Sequence, residues 1–207
     1  MSVTSAIREQ AALLWRFLGF FQTPYLRVLH AIIAVLVILQ ILSSFAMHML
    51  PSGQINPAIS SWLATWYHIL AGLATVIAGL LLTAYSLTKR GLRYFFPYLW
   101  GDTEQLGKDI RASLHFKMVP PRPKGLATAV QGLGIGALLL AVLSGLLWYL
   151  LWINGSPFAE PARKAHENLT LLIELYLFGH GGMALLHFFV WQRKSGRDEK
   201  AQEGSDS

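Results

Sequence analysis

Four long apolar runs constrain this chain more than any other feature: residues 25–49, 61–87, 126–153 and 166–191. A bilayer core of about 30 Å is crossed by roughly 20 helical residues at 1.5 Å each, and every run is long enough. In such an environment a backbone must satisfy its own hydrogen bonds, which leaves helices as the form these runs can take. The expected fold is therefore an all-α integral membrane protein, a four-helix transmembrane bundle. The balance of 54% hydrophobic and 14% charged residues over 207 positions agrees with this. No small-residue cleavage site follows the first run promptly, so that run is expected to stay in the mature protein.

The net charge of +6 is explained by where the charges sit. Of 17 lysines and arginines, only Arg163 and Lys164 fall between runs three and four, while the other 15 flank the opposite ends. The positive-inside rule then places both termini in the cytoplasm. An anionic lipid leaflet accounts for the basic surplus, and no nucleic-acid partner is expected. With no cysteine present, disulfides, thiolate metal sites, iron–sulfur clusters and covalently attached haem are excluded.

Along the chain, residues 1–24 read as a cytoplasmic interfacial segment, 25–192 as the transmembrane domain and 193–207 as a disordered polar tail. Within 1–24, residues 5–21 suit either an amphipathic surface helix or a plain extension of the first span. Pro24 suits the first turn of a helix. The stretch DTEQLGKDIRASLHF predicts a short helix in the loop between spans two and three, and VPPRPKG should break it. Trp62, Trp66 and Tyr67, with Trp148, Tyr149 and Trp152, match an aromatic belt at the outer interface. Span three carries GLGIG, Ser144 and Gly145, small residues that let helices or a flat cofactor approach.

Seven histidines are present, and depth sorts them. His115 reads as a loop surface residue, and His48 as an interfacial residue at the end of span one. His30 lies toward the cytoplasmic end of span one and His68 toward the outer end of span two. His166 opens span four, and His180 follows 14 residues later, about 21 Å deeper and only about 40° off the same face. Two neutral imidazoles from facing helices are what a low-spin b-type haem requires. Matched depths pair His68 with His166 and His30 with His180, giving two stacked haems. Gly72, Gly179, Gly181 and Gly182 would leave room for the macrocycles. His187, one heptad beyond His180, is the rival inner ligand and otherwise an interface or quinone-pocket residue.

The segments YLRVLHAII, WYHILAG, AHENLT and FGHGGMALLHFF, together spanning residues 24–192, resemble the four-helix di-haem cytochromes b. That family includes bacterial cytochrome b561 and the membrane subunits of nickel–iron hydrogenase and formate dehydrogenase. The resemblance implies that His30, His68, His166 and His180 ligate two non-covalent haems b. The loop segments YFFPYLWGD, DIRASLHF and PPRPKG look more like the hydrogenase and formate dehydrogenase branch.

The implied activity is transmembrane electron transfer from a periplasmic donor protein or redox subunit to ubiquinone or menaquinone, with no catalytic residue of its own. A stand-alone superoxide:quinone oxidoreductase of the cytochrome b561 type is the alternative. From another class, the rival is a non-redox membrane metal-binding or assembly protein. Arg163 and Lys164 could neutralise outer haem propionates and Arg27 inner ones. Glu174, at mid-span, is rotated about 80° from His166. It is expected to face away from the haem side, as a protonated structural residue, a proton-path group, or a partner of Gln40 or Gln131.

Overall fold

The computed structural model describes residues 2–50, 52–115, 117, 119 and 122–203, with side chains to residue 193. Among the described residues, seven α-helices account for most of the chain. They are α1 (Val3–Gly19), α2 (Pro24–Ser44), α3 (Ile59–Arg90), α4 (Leu92–Phe95), α5 (Glu104–Leu114), α6 (Leu126–Ile153) and α7 (Ala159–Glu203), with a 3-10 turn at Pro97–Trp100. Four of these, α2, α3, α6 and α7 from Ala159 to Arg193, are long and apolar enough to cross a membrane. Among the described residues there is no strand, only an isolated bridge between Met49 and Ile55. The chain divides into two units, His30–Tyr176 and Met1–Leu29 with Leu177–Ser207.

In the His30–Tyr176 unit, α3 and α6 meet through small residues. A Cβ on Gly79 would stand 3.4 Å from Leu138, and Ile69, Val76, Ala137 and Ala141 are buried. Thr65 and Thr75, also buried, return their hydroxyls to carbonyls four residues back at 2.8 and 2.7 Å. Each polar side chain thus enters the interior already satisfied. On α6 a Cβ on Gly132 would meet the Phe95 carbonyl at 2.6 Å, and one on Gly134 would overlap the Tyr176 ring. The GLGIG segment therefore works as a packing surface made of backbone.

The connection between α3 and α6 is built onto the start of α6. Leu126, the first residue of α6, donates its N–H to Asp109 Oδ2 at 2.9 Å, and Gln105 Nε2 donates to Oδ1 at 2.6 Å. Asp109 is buried. It supplies the acceptor that α6 lacks in its own cap position, Gly125. On the surface, Asp102 accepts from Arg93 Nε at 2.7 Å and Lys124 Nζ at 2.9 Å. The hydrogen bond from Arg93, then that from Lys124, pulls its carboxyl from 3.8 down to about 2.

The expected helix within DTEQLGKDIRASLHF is α5. The break expected in VPPRPKG falls partly on Pro120 and Pro121, which lie outside the described residues. Three boundaries differ from expectation. Span one stops at Ser44, where Ser43 and Ser44 turn their hydroxyls onto the carbonyls of Gln40 and Ile41. His48 consequently sits in the 45–58 loop, with its backbone held by Ser61 Oγ at 2.9 and 3.1 Å. The fourth helix begins seven residues before His166, because Arg163 bonds Glu160 and Glu167 and stabilises an added N-terminal turn. At its other end α7 continues through Glu203, so residues 193–203 are helical where a disordered tail was expected. Propagation along an established helix costs little through Arg, Lys, Glu, Ala and Gln, and carries it past Ser195, Gly196 and Asp198. Residues 204–207 lie outside the described residues.

In the other unit, α1 is a helix separate from α2, resolving the two readings of residues 5–21. Phe17, buried, packs edge-on against Phe188 with centroids 5.6 Å apart, and Gln192 Nε2 reaches Gln10 Oε1 at 3.2 Å. Pro24 opens α2, as its fixed φ and absent N–H favour.

Candidate functional site

His68 enters the His30–Tyr176 unit from α3, just over two turns past its start, and His166 from α7, about two turns past its start. Their ring centroids lie 6.4 Å apart, with planes at 74°. Two imidazoles bound at about 2 Å on opposite sides of one metal, counting about 1.1 Å from nitrogen to ring centre, have centroids roughly 6.3 Å apart. At that separation His68 and His166 would be able to hold one metal between them.

The protons on these rings follow from their hydrogen bonds. Ser43 Oγ donates to the Gln40 carbonyl at 3.0 Å, which uses its only proton. Its contact with His68 Nδ1 at 3.0 Å is therefore one in which Nδ1–H donates. Ser144 repeats the arrangement: its hydroxyl donates to the Ala141 carbonyl at 3.0 Å and accepts from His166 Nδ1 at 3.1 Å. A neutral imidazole held in this way keeps its proton on Nδ1 and has Nε2 free for a metal. A hydrogen-bond partner on Nδ1 is what orients a histidine as a metal ligand.

The surroundings leave room for a group between the rings. A Cβ on Gly145 would come 2.9 Å from His166 Cε1, so only glycine admits the ring in this position. A cavity of about 270 Å³, lined by both histidines together with Gln40, Gly72 and Gly145, occupies this part of the unit. Gln40 Nε2 is fixed on the His68 carbonyl at 3.0 Å. Among the described residues, no group of three or more His, Cys, Asp or Glu is gathered to hold a bare metal ion. His68 and His166 would hold a metal whose remaining ligands a macrocycle supplies.

The other histidines divide between the units. His30 belongs to the His30–Tyr176 unit on α2, and His180 to the other unit on α7. His187 Nδ1 is engaged by the Met183 carbonyl of its own helix at 2.8 Å, and His115 Nδ1 by the Arg111 carbonyl at 2.7 Å. Gly179, Gly181 and Gly182, expected to make room beside His180, would each accept a Cβ with no described atom within 4 Å. Close approach falls instead on Gly145, Gly132 and Gly134.

Among the charges, Arg163 lines the cavity with its guanidinium bound to Glu160 at 2.7 and 2.8 Å and to Glu167. Lys164 is an exposed surface residue 3.8 Å from Glu160. Arg27 lies over the Trp15 ring at 4.9 Å and donates to the Trp15 carbonyl at 3.0 Å. Glu174 departs from expectation, since it lines the cavity containing His68 and His166. The cavity-facing stripe of α7 is wide, running through Arg163, His166, Glu167, Thr170, Ile173 and Glu174. An 80° offset from one member still falls inside it.

The residues that sequence reasoning missed are Ser43 and Ser144. Their available signal was a hydroxyl near a histidine's depth on the preceding span, but Ser144 was weighed only for its small size.

The family described as prokaryotic cytochrome b561 matches residues 22–195. The chain belongs to that family. It is a multi-pass membrane protein, and its family carries electrons across membranes on b-type haem, exchanging them with quinones and redox partners. No curated protein and no solved structure matches the chain.

Proposed function

We propose that the chain moves electrons through two b-type haems, one between His68 and His166 and a second between His30 and His180. The donor is a protein or redox subunit on the periplasmic side, and the acceptor is the quinone pool near the cytoplasmic side, with the chain serving as the membrane subunit of a redox complex. The observation that carries this reading is the His68–His166 pair, with centroids 6.4 Å apart and both Nδ1 atoms committed to serines. Bound haem supplies one-electron chemistry. The chain's own part is to present neutral Nε2 lone pairs, to fix the ring planes through Ser43 and Ser144, and to keep water out with an apolar wall. Arg163 and Lys164 on one side and Arg27 on the other are assigned to haem propionates. The 15-to-2 distribution of basic residues supports an inner-membrane protein with both termini cytoplasmic.

Haem quantification tests the assignment. His68→Ala and His166→Ala are expected each to lose the same haem, and His30→Ala and His180→Ala the other, while His187→Ala keeps both. Full haem content in all four ligand variants would overturn the assignment. Loss of a haem in His187→Ala but not in His180→Ala would move the inner ligand to His187.

A further inference from the structure

The cavity wall on α7 carries a row of polar side chains that electron transfer alone does not use. Arg163, Glu167, Thr170 and Glu174 follow one another at helical spacing along the stripe that holds His166. They run from the first turns of the helix into the middle of the apolar run. Arg163 binds Glu160 and Glu167. Thr170 Oγ1 donates to the Glu167 carbonyl at 2.8 Å and keeps its lone pairs for a proton donor. Glu174 closes the row, and Arg163, the cation lining the cavity among the described residues, is engaged with Glu160 and Glu167 at the outer end.

The geometry points to Glu174 as a proton-binding site that takes up a proton when an electron arrives between His68 and His166. This rests on the haem assignment above. Electroneutrality in a low-dielectric interior drives the coupling. One electron from the donor adds one negative charge to the site, and one proton from water at the α7 N-terminal end converts the Glu174 carboxylate to carboxylic acid. Net charge in the cavity is then unchanged. From His166 to Glu174 is about 12 Å along the helix axis. At that separation, with an effective dielectric constant of about 20, a unit charge alters proton affinity roughly tenfold. The effect is reciprocal, so protonation of Glu174 favours the reduced site by the same factor.

Other titratable or charged groups line the same cavity: His68 from α3, Tyr149 from α6, and Arg163, His166 and Glu167 from α7, while α2 contributes only uncharged groups. The histidines have their Nδ1 protons held by serines and their Nε2 atoms turned to metal duty. Glu167 is paired with Arg163. Glu174 is the carboxyl left to exchange a proton.

The experiment is a spectroelectrochemical titration of the purified haem-loaded protein over a pH series, with reduced-minus-oxidised infrared difference spectra. In the native chain the potential of the haem lost in His68→Ala should fall as pH rises, and a protonated-carboxyl band should appear on reduction. Glu174→Gln, nearly isosteric, should keep both haems and their absorption spectra but lose the pH slope and the band, while Glu174→Asp should keep a slope. A pH-independent potential in the native chain, or an undiminished slope in Glu174→Gln, would overturn the inference and leave the haem assignment standing. Absence of haem from the native chain would instead remove the assignment itself.

Discussion

Ser43 and Ser144 each donate to a backbone carbonyl and meet a histidine Nδ1, an arrangement that suits a proton on Nδ1 and leaves Nε2 for a metal. Outer-shell partners of this kind typically contribute ten- to a hundredfold to metal affinity and raise the basicity of the ligand. Ser43→Ala or Ser144→Ala should therefore weaken retention of one haem by roughly that factor and raise its midpoint potential, leaving the second haem unchanged. Haem loss on dilution and a redox titration measure both, and native values in both variants would show the serines to be bystanders. The approach of His68 to His166 was legible in the sequence because depth and helical register can be counted. The serines were not, because hydroxyls in membrane helices commonly bond their own preceding turn. Glu174 was misread because its angle was measured from a single histidine and not across the width of the cavity-facing stripe.

Among the elements, α6 shows how a helix start is fixed by another helix. Asp109 of α5 reaches the Leu126 N–H, and Gly125 gives it passage, since a Cβ there would overlap Asp109 Oδ2. Removing such an acceptor costs about 1–2 kcal/mol. Asp109→Ala should lower the thermal midpoint of the solubilised protein without changing its haem content, because the cap is at the opposite end of α6 from Ser144. A native melting curve would show that water replaces the carboxylate fully. The four spans and α5 were legible from apolar length and helical spacing. The short α4 and the 3-10 turn were not, because they depend on Gly91 at φ 76° and Gly101 at φ 73° and on contacts with α6, which local pattern does not carry. The late start of α7 in the sequence reading has a similar origin: ion pairs at Arg163 extend a helix beyond its apolar stretch.

For the whole molecule, the charge distribution sets the orientation proposed here. Reporter fusions placed after residue 193 should be active in the cytoplasm, and fusions in the 154–158 loop outside it; the reverse pattern would invert the donor and quinone sides together. The serine contacts also bear on how such a protein is put together. Each histidine is prepared by the helix that immediately precedes it among the long spans: Ser43 of α2 serves His68 of α3, and Ser144 of α6 serves His166 of α7. During synthesis each antiparallel hairpin can thus finish its own half of the site as soon as it enters the bilayer. In the proposed assignment, a group captured between His68 and His166 would bridge two separately inserted hairpins whose α3 and α6 faces already meet at Gly79 and Leu138, so that its capture follows the docking of the halves.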